Sequence, residues 1–275
     1  MFRKPVFIIT AEIVLLVLLF LVILGPMMSL LIWSIAERWY WPASLPQEVG
    51  FEYWKQALGL QKSLAIGAVS IVPAFFLSIF IAIVVVIISM LIAIPAGYAL
   101  AKYRIPFGAF ILFLFLMPNA FPQQPIFVNL LHIFTRWGLA GTVEGVILVH
   151  ILVGLVFGVW ITNATFKSIP PDLEEAARSV GASSTKAFFK ITLPLAAPGL
   201  LASAVFVFIT SLDEFTGTFF VGLPFVNTLP MTLYSASGYN MQFASVIAII
   251  LLIPSILFMT LIQKMLKAEY VGGMG

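Results

Sequence analysis

Residues 76–101, which read FLSIFIAIVVVIISMLIAIPAGYALA, contain no charged side chain. An apolar stretch of about 20 residues is long enough to cross the hydrocarbon core of a bilayer as a helix. The same character extends along the chain, since 62% of its 275 residues are hydrophobic and 9% are charged. Soluble proteins carry roughly 25% charged residues, so these few cannot cover a water-facing surface. The composition indicates an all-α integral membrane protein and excludes soluble enzymes and nucleic-acid-binding modules.

Working outward from this run, the hydrophobic pattern predicts about six transmembrane helices. Pro73 divides the nearly uncharged stretch 63–102, and residues 64–72 either lie in the interface or extend the second helix. The six helices are expected at residues 6–33, 76–101, from 107 to beyond Pro118, 142–165, 195–220 and 243–266. A polar and aromatic loop follows the first helix, as is typical of the headgroup level.

The distribution of Lys and Arg predicts the orientation of these helices, because cytoplasmic loops carry an excess of basic residues. If the N-terminus is cytoplasmic, that side holds Arg3, Lys4, Lys102, Arg104, Lys167, Arg178, Lys186, Lys190, Lys264 and Lys267. The other side then holds only Arg38, Lys55, Lys62 and Arg136. Both termini are therefore expected in the cytoplasm. The net charge of +3 is explained by basic residues in the cytoplasmic loops and does not indicate nucleic-acid binding.

The polar centre of the chain is residues 166–194, FKSIPPDLEEAARSVGASSTKAFFKITLP. Pro170 and Pro171 can open a helix there, because the first turn needs no amide donors, and Gly181 can end it as a C-terminal cap. Its apolar residues recur at helical spacing and form one face, consisting of Leu173, Ala176, Ala177 and Val180. Ser183 or Ser184 can cap a second helix that runs to Pro194. The apolar face needs a cover, which is either the chain's own transmembrane bundle or a soluble partner.

Three groups in this segment stand at a fixed spacing: Glu175-Ala176-Ala177, then Gly181, then Ile191-x-Leu193-Pro194. This pattern resembles the cytoplasmic EAA signature of permease subunits of bacterial ABC importers, and residues 166–194 are called the EAA loop below. Residues 95–101, PAGYALA, close the second span as in that family. The resemblance implies a type I importer permease fold in the cytoplasmic (inner) membrane of a bacterium or archaeon.

The same resemblance implies partners and roles. The EAA loop is expected to form a coupling helix in a cleft of a cytoplasmic ATPase, with seven coupling residues: Glu175, Ala176, Ala177, Gly181, Ile191, Leu193 and Pro194. The expected assembly adds a second permease subunit, two ATPase subunits and an extracytoplasmic solute-binding protein, surrounded by membrane lipid. Residues 1–62 would form the first transmembrane helix and an extracytoplasmic loop, and residues 63–275 the permease core.

No catalytic or metal site is expected in this chain. It contains no Gly-x-x-x-x-Gly-Lys-Ser/Thr phosphate-binding loop, so ATP and Mg are expected on the partner ATPase. There is no cysteine, and the two histidines do not have the spacing of a compact zinc motif. His132 is interpreted as interfacial, and His150 as a hydrogen-bonded residue that packs helices.

Polar residues at membrane depth are candidates for the substrate path, because an ionisable group inside a span is costly. Asp213 and Glu214 lie deep in the fifth apolar run; either one of them pairs with a neighbouring helix, or one or both line the path. Asn119 and Gln123 lie among prolines, where irregular backbone is tolerated only if it is buried or borders a cavity. We also expect Asn163 to pack helices.

The substrate class remains open between two branches of the resemblance. Glu214 and Phe215 match the carbohydrate branch, which favours a sugar or sugar derivative, while Ser211-Leu212-Asp213 resembles the polyamine branch. A sugar needs hydrogen-bonding groups and aromatic faces, and a polyamine needs carboxylates. A remote alternative is an ion-coupled secondary transporter, which would require inverted repeats that this sequence does not display.

Overall fold

A computed structural model describes residues 6–60 and 70–272, with side chains except at positions 6, 9, 11, 119, 261, 262 and 264–272. Five helices in these ranges are long and apolar enough to cross a membrane, and one bent pair of helices makes a sixth candidate. The prediction of an all-α, multi-span membrane protein is therefore confirmed. The cytoplasmic placement of the termini stays a prediction.

The helices and strands follow one another in chain order. They are α1 Val6–Ile35, β1 Ala36–Arg38, β2 Glu48–Val49, α2 Glu52–Ala57, α3 Val72–Lys102, α4 Gly108–Ala120, α5 Gln123–Arg136, α6 Val143–Ser168, α7 Asp172–Ser179, α8 Ser184–Ala187, a π-helical turn Phe188–Thr192, α9 Leu193–Leu212, α10 Thr216–Gly222, α11 Leu229–Ser237 and α12 Met241–Gly272. They form two compact units. One comprises Met1–Val72 and Thr232–Leu252, and the other comprises Pro73–Met231 and Ile253–Gly275. The predicted division at residue 62 stays a prediction.

In the first unit, the loop after α1 contains a small antiparallel hairpin that the sequence pattern did not predict. Strands β1 and β2 pair, and Arg38 donates a hydrogen bond to Glu48 at 3.0 Å across them. The Trp39 ring stacks on Trp33 with centroids 4.2 Å apart, and its Nε1 donates to the carbonyl of Ala43. Strands of two or three residues are too short to produce a period-two pattern, which is why the sequence indicated only a loop.

The second unit has its core where α3, α6 and α9 pack together, with Ile81, Val85, Val146, Ile151 and Val207 buried among them. Small residues bring these backbones close, as is typical of membrane helices. A Cβ at Gly97 would lie 2.2 Å from Oγ1 of Thr162, so only glycine fits there. Asn163 is buried and donates to the carbonyl of Gly97 at 3.2 Å, which confirms its predicted role in helix packing.

Two boundaries near proline differ from the expectation. The second span begins at Val72 rather than residue 76, because Pro73 is tolerated in the first turn of a helix; residues 64–69 lie outside the described residues. The helix after Ser183 does not stop at Pro194, since it passes through the π-helical turn into α9 with the proline in the first turn. Proline therefore starts or continues helices here, where the sequence suggested that it ends them.

Two predicted spans are interrupted. The third is broken at Phe121 and Pro122, and the axes of Gly108–Pro118 and Gln123–Arg136 differ in direction by 89°. The fifth, expected as one helix over 195–220, is broken between Leu212 and Thr216. Both interruptions fall beside the polar residues proposed for the substrate path, as expected if irregular backbone at membrane depth marks a buried or cavity-lining segment.

Candidate functional site

Helix α7 forms in the EAA loop where the sequence predicts it. It begins at Asp172, after Pro171 in the N-cap position. Its first turn carries Asp172, Glu174 and Glu175, and its last turn carries Arg178. These charges complement the helix macrodipole, because anions are stabilised near the N-terminus and cations near the C-terminus. The local sequence therefore favours a short helix at this position.

Gly181 ends α7 in the geometry of a Schellman motif. Its φ is +92°, in the left-handed region that favours glycine. The amide of Ala182 donates to the carbonyl of Ala177 at 3.1 Å, and the amide of Gly181 donates to the carbonyl of Arg178 at 3.0 Å. These are the two bonds that define the motif. The predicted C-terminal cap is present, and the backbone alone accounts for the glycine, because nothing lies within 4 Å of a Cβ built there.

The apolar face of α7 is exposed. No residue of the helix is buried, and Leu173 and Val180 are 41% and 86% exposed. Ala177 of the same face is half-buried and lines a cavity with Ala187 and Ile191, so the chain covers this face only in part. Glu175 and Ala176 are exposed on the same helix.

Glu174 connects α7 to the spans, and sequence reasoning missed it. Its Oε2 accepts a hydrogen bond from the hydroxyl of Tyr98 at 3.0 Å, and its Oε1 accepts one from the hydroxyl of Thr192. Tyr98 lies on α3 and Thr192 in the π-helical turn. The partners are 76 and 18 positions away, so no local pattern could have distinguished this glutamate from its exposed neighbour Glu175.

The remaining residues of the predicted coupling set lie in three different environments. Ala177, Gly181 and Ile191 line one cavity of about 270 Å³, together with Lys186 and Lys190. Leu193 packs instead against the buried cluster of Met90, Phe166, Ile169, Ala196 and Leu200. Pro194 is exposed in the first turn of α9.

The interruption of the fifth span places its two carboxylates in different environments. Glu214 is 8% exposed, and its Oε1 accepts a hydrogen bond from the amide of Gly217 at 2.6 Å, near the start of α10. Asp213 occupies the C-cap position of α9 and is exposed. One carboxylate therefore stabilises a helix terminus, while the other is accessible from outside the chain.

His150 joins both sides of this interruption. It is 2% exposed on α6, with Nδ1 2.9 Å from Oγ of Ser211 and Nε2 2.8 Å from Oγ1 of Thr218. Ser211 lies in α9 and Thr218 in α10. The interpretation of His150 as a hydrogen-bonded packing residue is confirmed, and the break that it bridges was not predicted.

The other predicted path residues lie at the bend between α4 and α5. Gln123 begins α5 and lines an otherwise apolar cavity of about 480 Å³ between α4, α5 and α6, which Asp213 and Glu214 do not line. Asn119 lies on α4, and its side chain is outside the described residues. In the described ranges, no cluster of three His, Cys, Asp or Glu side chains could hold a metal ion.

These spans, with a capped and partly exposed helix in the connection between two of them, define a multi-pass membrane protein. Residues 93–270 match the family described as binding-protein-dependent transport system inner membrane component, and the chain belongs to that family. It is an ABC importer permease of the inner membrane, as the resemblance implied.

Individual relatives agree with this assignment. The chain is 28% identical over 200 residues to the putative ABC transporter permease protein ORF1 of Streptomyces antibioticus, covering 71% of this chain and 87% of that one. It is 30% identical over 203 residues to the trehalose transport system permease protein SugB of Mycobacterium tuberculosis, covering 71% and 74%. The fold is similar to that of a bacterial ABC transporter involved in the import of the acidic polysaccharide alginate, with a TM-score of 0.70 and 23% identity over 96% of this chain and 99% of the other.

Proposed function

We propose that this permease imports a sugar or sugar derivative, which an extracytoplasmic solute-binding protein delivers and ATP hydrolysis on two partner ATPase subunits drives. A second permease subunit completes the translocation path. The observation that carries the proposal is the exposed apolar face of α7, which is held by Gly181 at one end and by Glu174 in its first turn. ATP and Mg belong to the ATPase in this scheme, which assigns no catalytic role to this chain.

The surface of α7 has the character of a docking helix. Leu173 and Val180 offer apolar area that a partner would remove from water, and Glu175 offers a charge for orientation. Burying apolar surface stabilises an interface by roughly 25 cal/mol per Å², whereas a charge mainly determines register and partner. The first turn of α7 is bonded to α3 and to the π-helical turn through Glu174, so movement of the docked helix acts on both elements.

The polar groups at the interrupted span favour a neutral solute over a polyamine. Glu214 is buried as a cap of α10, so only Asp213 of the carboxylate pair is accessible. Partly exposed aromatic rings follow it, with Phe215 and Phe219 centroids 5.5 Å apart. One carboxylate with aromatic faces suits the hydroxyls and ring faces of a sugar, while a polyamine carries several cations. The trehalose relative supports the same choice.

A polyamine or another small cationic solute is the second candidate, and the exposed carboxylate of Asp213 is the observation that favours it. Uptake into proteoliposomes containing the permease, its ATPase and its solute-binding protein separates the two. We expect ATP-dependent accumulation of a labelled disaccharide such as trehalose and none of labelled spermidine. Accumulation of spermidine alone would overturn the sugar assignment, and uptake without ATPase or binding protein would overturn the importer scheme.

A further inference from the structure

We infer that Glu174 is a positioning residue that carries the movement of α7 into two spans, α3 and the helix that continues into α9. This inference rests on the proposed function of α7 as the ATPase-docking helix. Glu174 lies outside the Glu175-Ala176-Ala177 signature. Its hydrogen bonds to Tyr98 and Thr192 distinguish it from the exposed residues of the docking surface.

The two oxygens of the Glu174 carboxylate have separate partners. Oε2 accepts from Tyr98 on α3, and Oε1 accepts from Thr192 in the π-helical turn. Bonds to a charged acceptor are about twice as strong as neutral ones, so this carboxylate holds both hydroxyls more firmly than an amide would. A displacement of α7 at this point therefore acts on both spans at once.

The partners of Glu174 belong to packed structure. The Tyr98 ring meets Phe166 of α6 edge-on at 5.3 Å and Phe188 at 4.8 Å. Phe166 is fully buried, and Thr192 is buried as well. Because packed side chains yield little when pushed, a force applied at the Tyr98 hydroxyl moves the helix rather than a single side chain.

Thr192 is directly followed by α9, the helix that precedes the break in the fifth span. It ends the five-residue π-helical turn, and α9 continues directly from Leu193 to Leu212. These 20 residues extend about 30 Å at 1.5 Å per residue. Asp213 is the C-cap at the far end. The π-helical geometry is rare, and such turns occur frequently at functional sites, so it is a natural place for a shift in helix position.

A second contact holds the start of the EAA loop. The Nζ of Lys102, the last residue of α3, donates to the carbonyl of Ile169 at 2.7 Å. The backbone before α7 and the first turn of α7 are thus both attached to α3. Removing the Glu174 bonds would leave α7 connected through Lys102 and the chain itself, so we expect the helix to keep its fold and lose its coupling.

The test uses Tyr98→Phe and Thr192→Val, separately and together, because each removes one bond and keeps the packed shape. The complex with ATPase and binding protein is reconstituted in proteoliposomes, and ATP hydrolysed per solute imported is measured. We expect unchanged recovery of the ATPase, hydrolysis within about twofold of wild type, and uptake by the double variant lowered about tenfold, as the loss of about 1.4 kcal/mol would give. The ratio of ATP to solute therefore rises about tenfold.

Two results would contradict the role of Glu174. A wild-type ratio in the double variant would overturn the inference, as would uptake and hydrolysis that fall together in proportion to the amount of folded complex, since that is a purely structural effect. If the double variant does not insert, the two single variants are judged by the same ratio. Glu175→Lys is the matched control, because its failure to release the ATPase would count against the docking proposal and not against Glu174.

Discussion

Nδ1 of His150 lies 2.9 Å from Oγ of Ser211, 61 positions later in the chain. The other ring nitrogen is 2.8 Å from Oγ1 of Thr218. Because these hydroxyls lie on opposite sides of the break after Leu212, one imidazole of α6 fixes the relative position of α9 and α10. The break is therefore an ordered feature, stabilised from a neighbouring span.

Replacing His150 by leucine keeps a side chain of similar size but removes both hydrogen bonds. Ser211 is 3% exposed, and a buried polar group that loses its partner costs about 1–3 kcal/mol, whereas the Thr218 hydroxyl keeps its hydrogen bond to the carbonyl of Glu214 at 3.2 Å. We expect a lower midpoint of thermal unfolding in detergent, together with reduced uptake. His132→Leu is the control, since His132 is exposed, and it should leave the midpoint unchanged. Equal midpoints for both variants would show that the imidazole does not hold the break.

Replacing Gly181 by valine should abolish transport while leaving membrane insertion intact. A β-branched residue at φ +92° is strained by about 1–3 kcal/mol, and relief of this strain would change how α7 ends. Gly181→Asn is the matched control, because asparagine tolerates the left-handed region, and it should retain more uptake. The assignment of Gly181 to the coupling turn fails if Gly181→Val keeps full uptake and normal ATPase association.

Reversing the charge of Glu175 should weaken recovery of the ATPase when the permease is purified. The exposed carboxylate would be replaced by a cation, and like charges facing each other across an interface cost several kcal/mol. Glu144→Lys reverses an exposed charge in the first turn of α6, so it serves as a control for the change in helix-terminus charge. Unchanged co-purification of Glu175→Lys at physiological salt would mean that this carboxylate only faces water.

The Asp213→Asn variant distinguishes transport of a neutral solute from transport of a cationic one, because the two should differ in how much uptake falls. The amide keeps the size and the hydrogen-bonding capacity of the carboxylate and removes its charge. For a sugar, uptake in vesicles should stay within about threefold of wild type, a loss of no more than about 0.7 kcal/mol, because the amide oxygen still accepts a hydrogen bond from a neutral hydroxyl. For a polyamine, a drop of about tenfold or more is expected, since a bond to a charged group contributes about 1.5–3 kcal/mol. A tenfold loss of sugar uptake would contradict the neutral-solute proposal.

The sequence by itself determined which apolar runs form the spans and where the short helix of the EAA loop lies, but not where two of those runs are interrupted. A span is specified by the length of an uncharged apolar run, which residues 76–101 show without reference to any other part of the chain. Helix α7 is specified by Pro171 before it and Gly181 after it, within one short segment. Both signals are local, because they depend on backbone geometry and on the transfer of side chains from water to lipid.

The tertiary structure alone decided which polar residues act together. Glu174 and Glu175 are adjacent and identical, yet only Glu174 meets Tyr98 and Thr192. The fifth apolar run reads as one span, yet it breaks where Glu214 caps a new helix and His150 bonds to both sides. These choices depend on partners many positions away in the chain. A buried polar group is stable only where such a partner is within hydrogen-bond distance, and packing of the helices determines which partner that is.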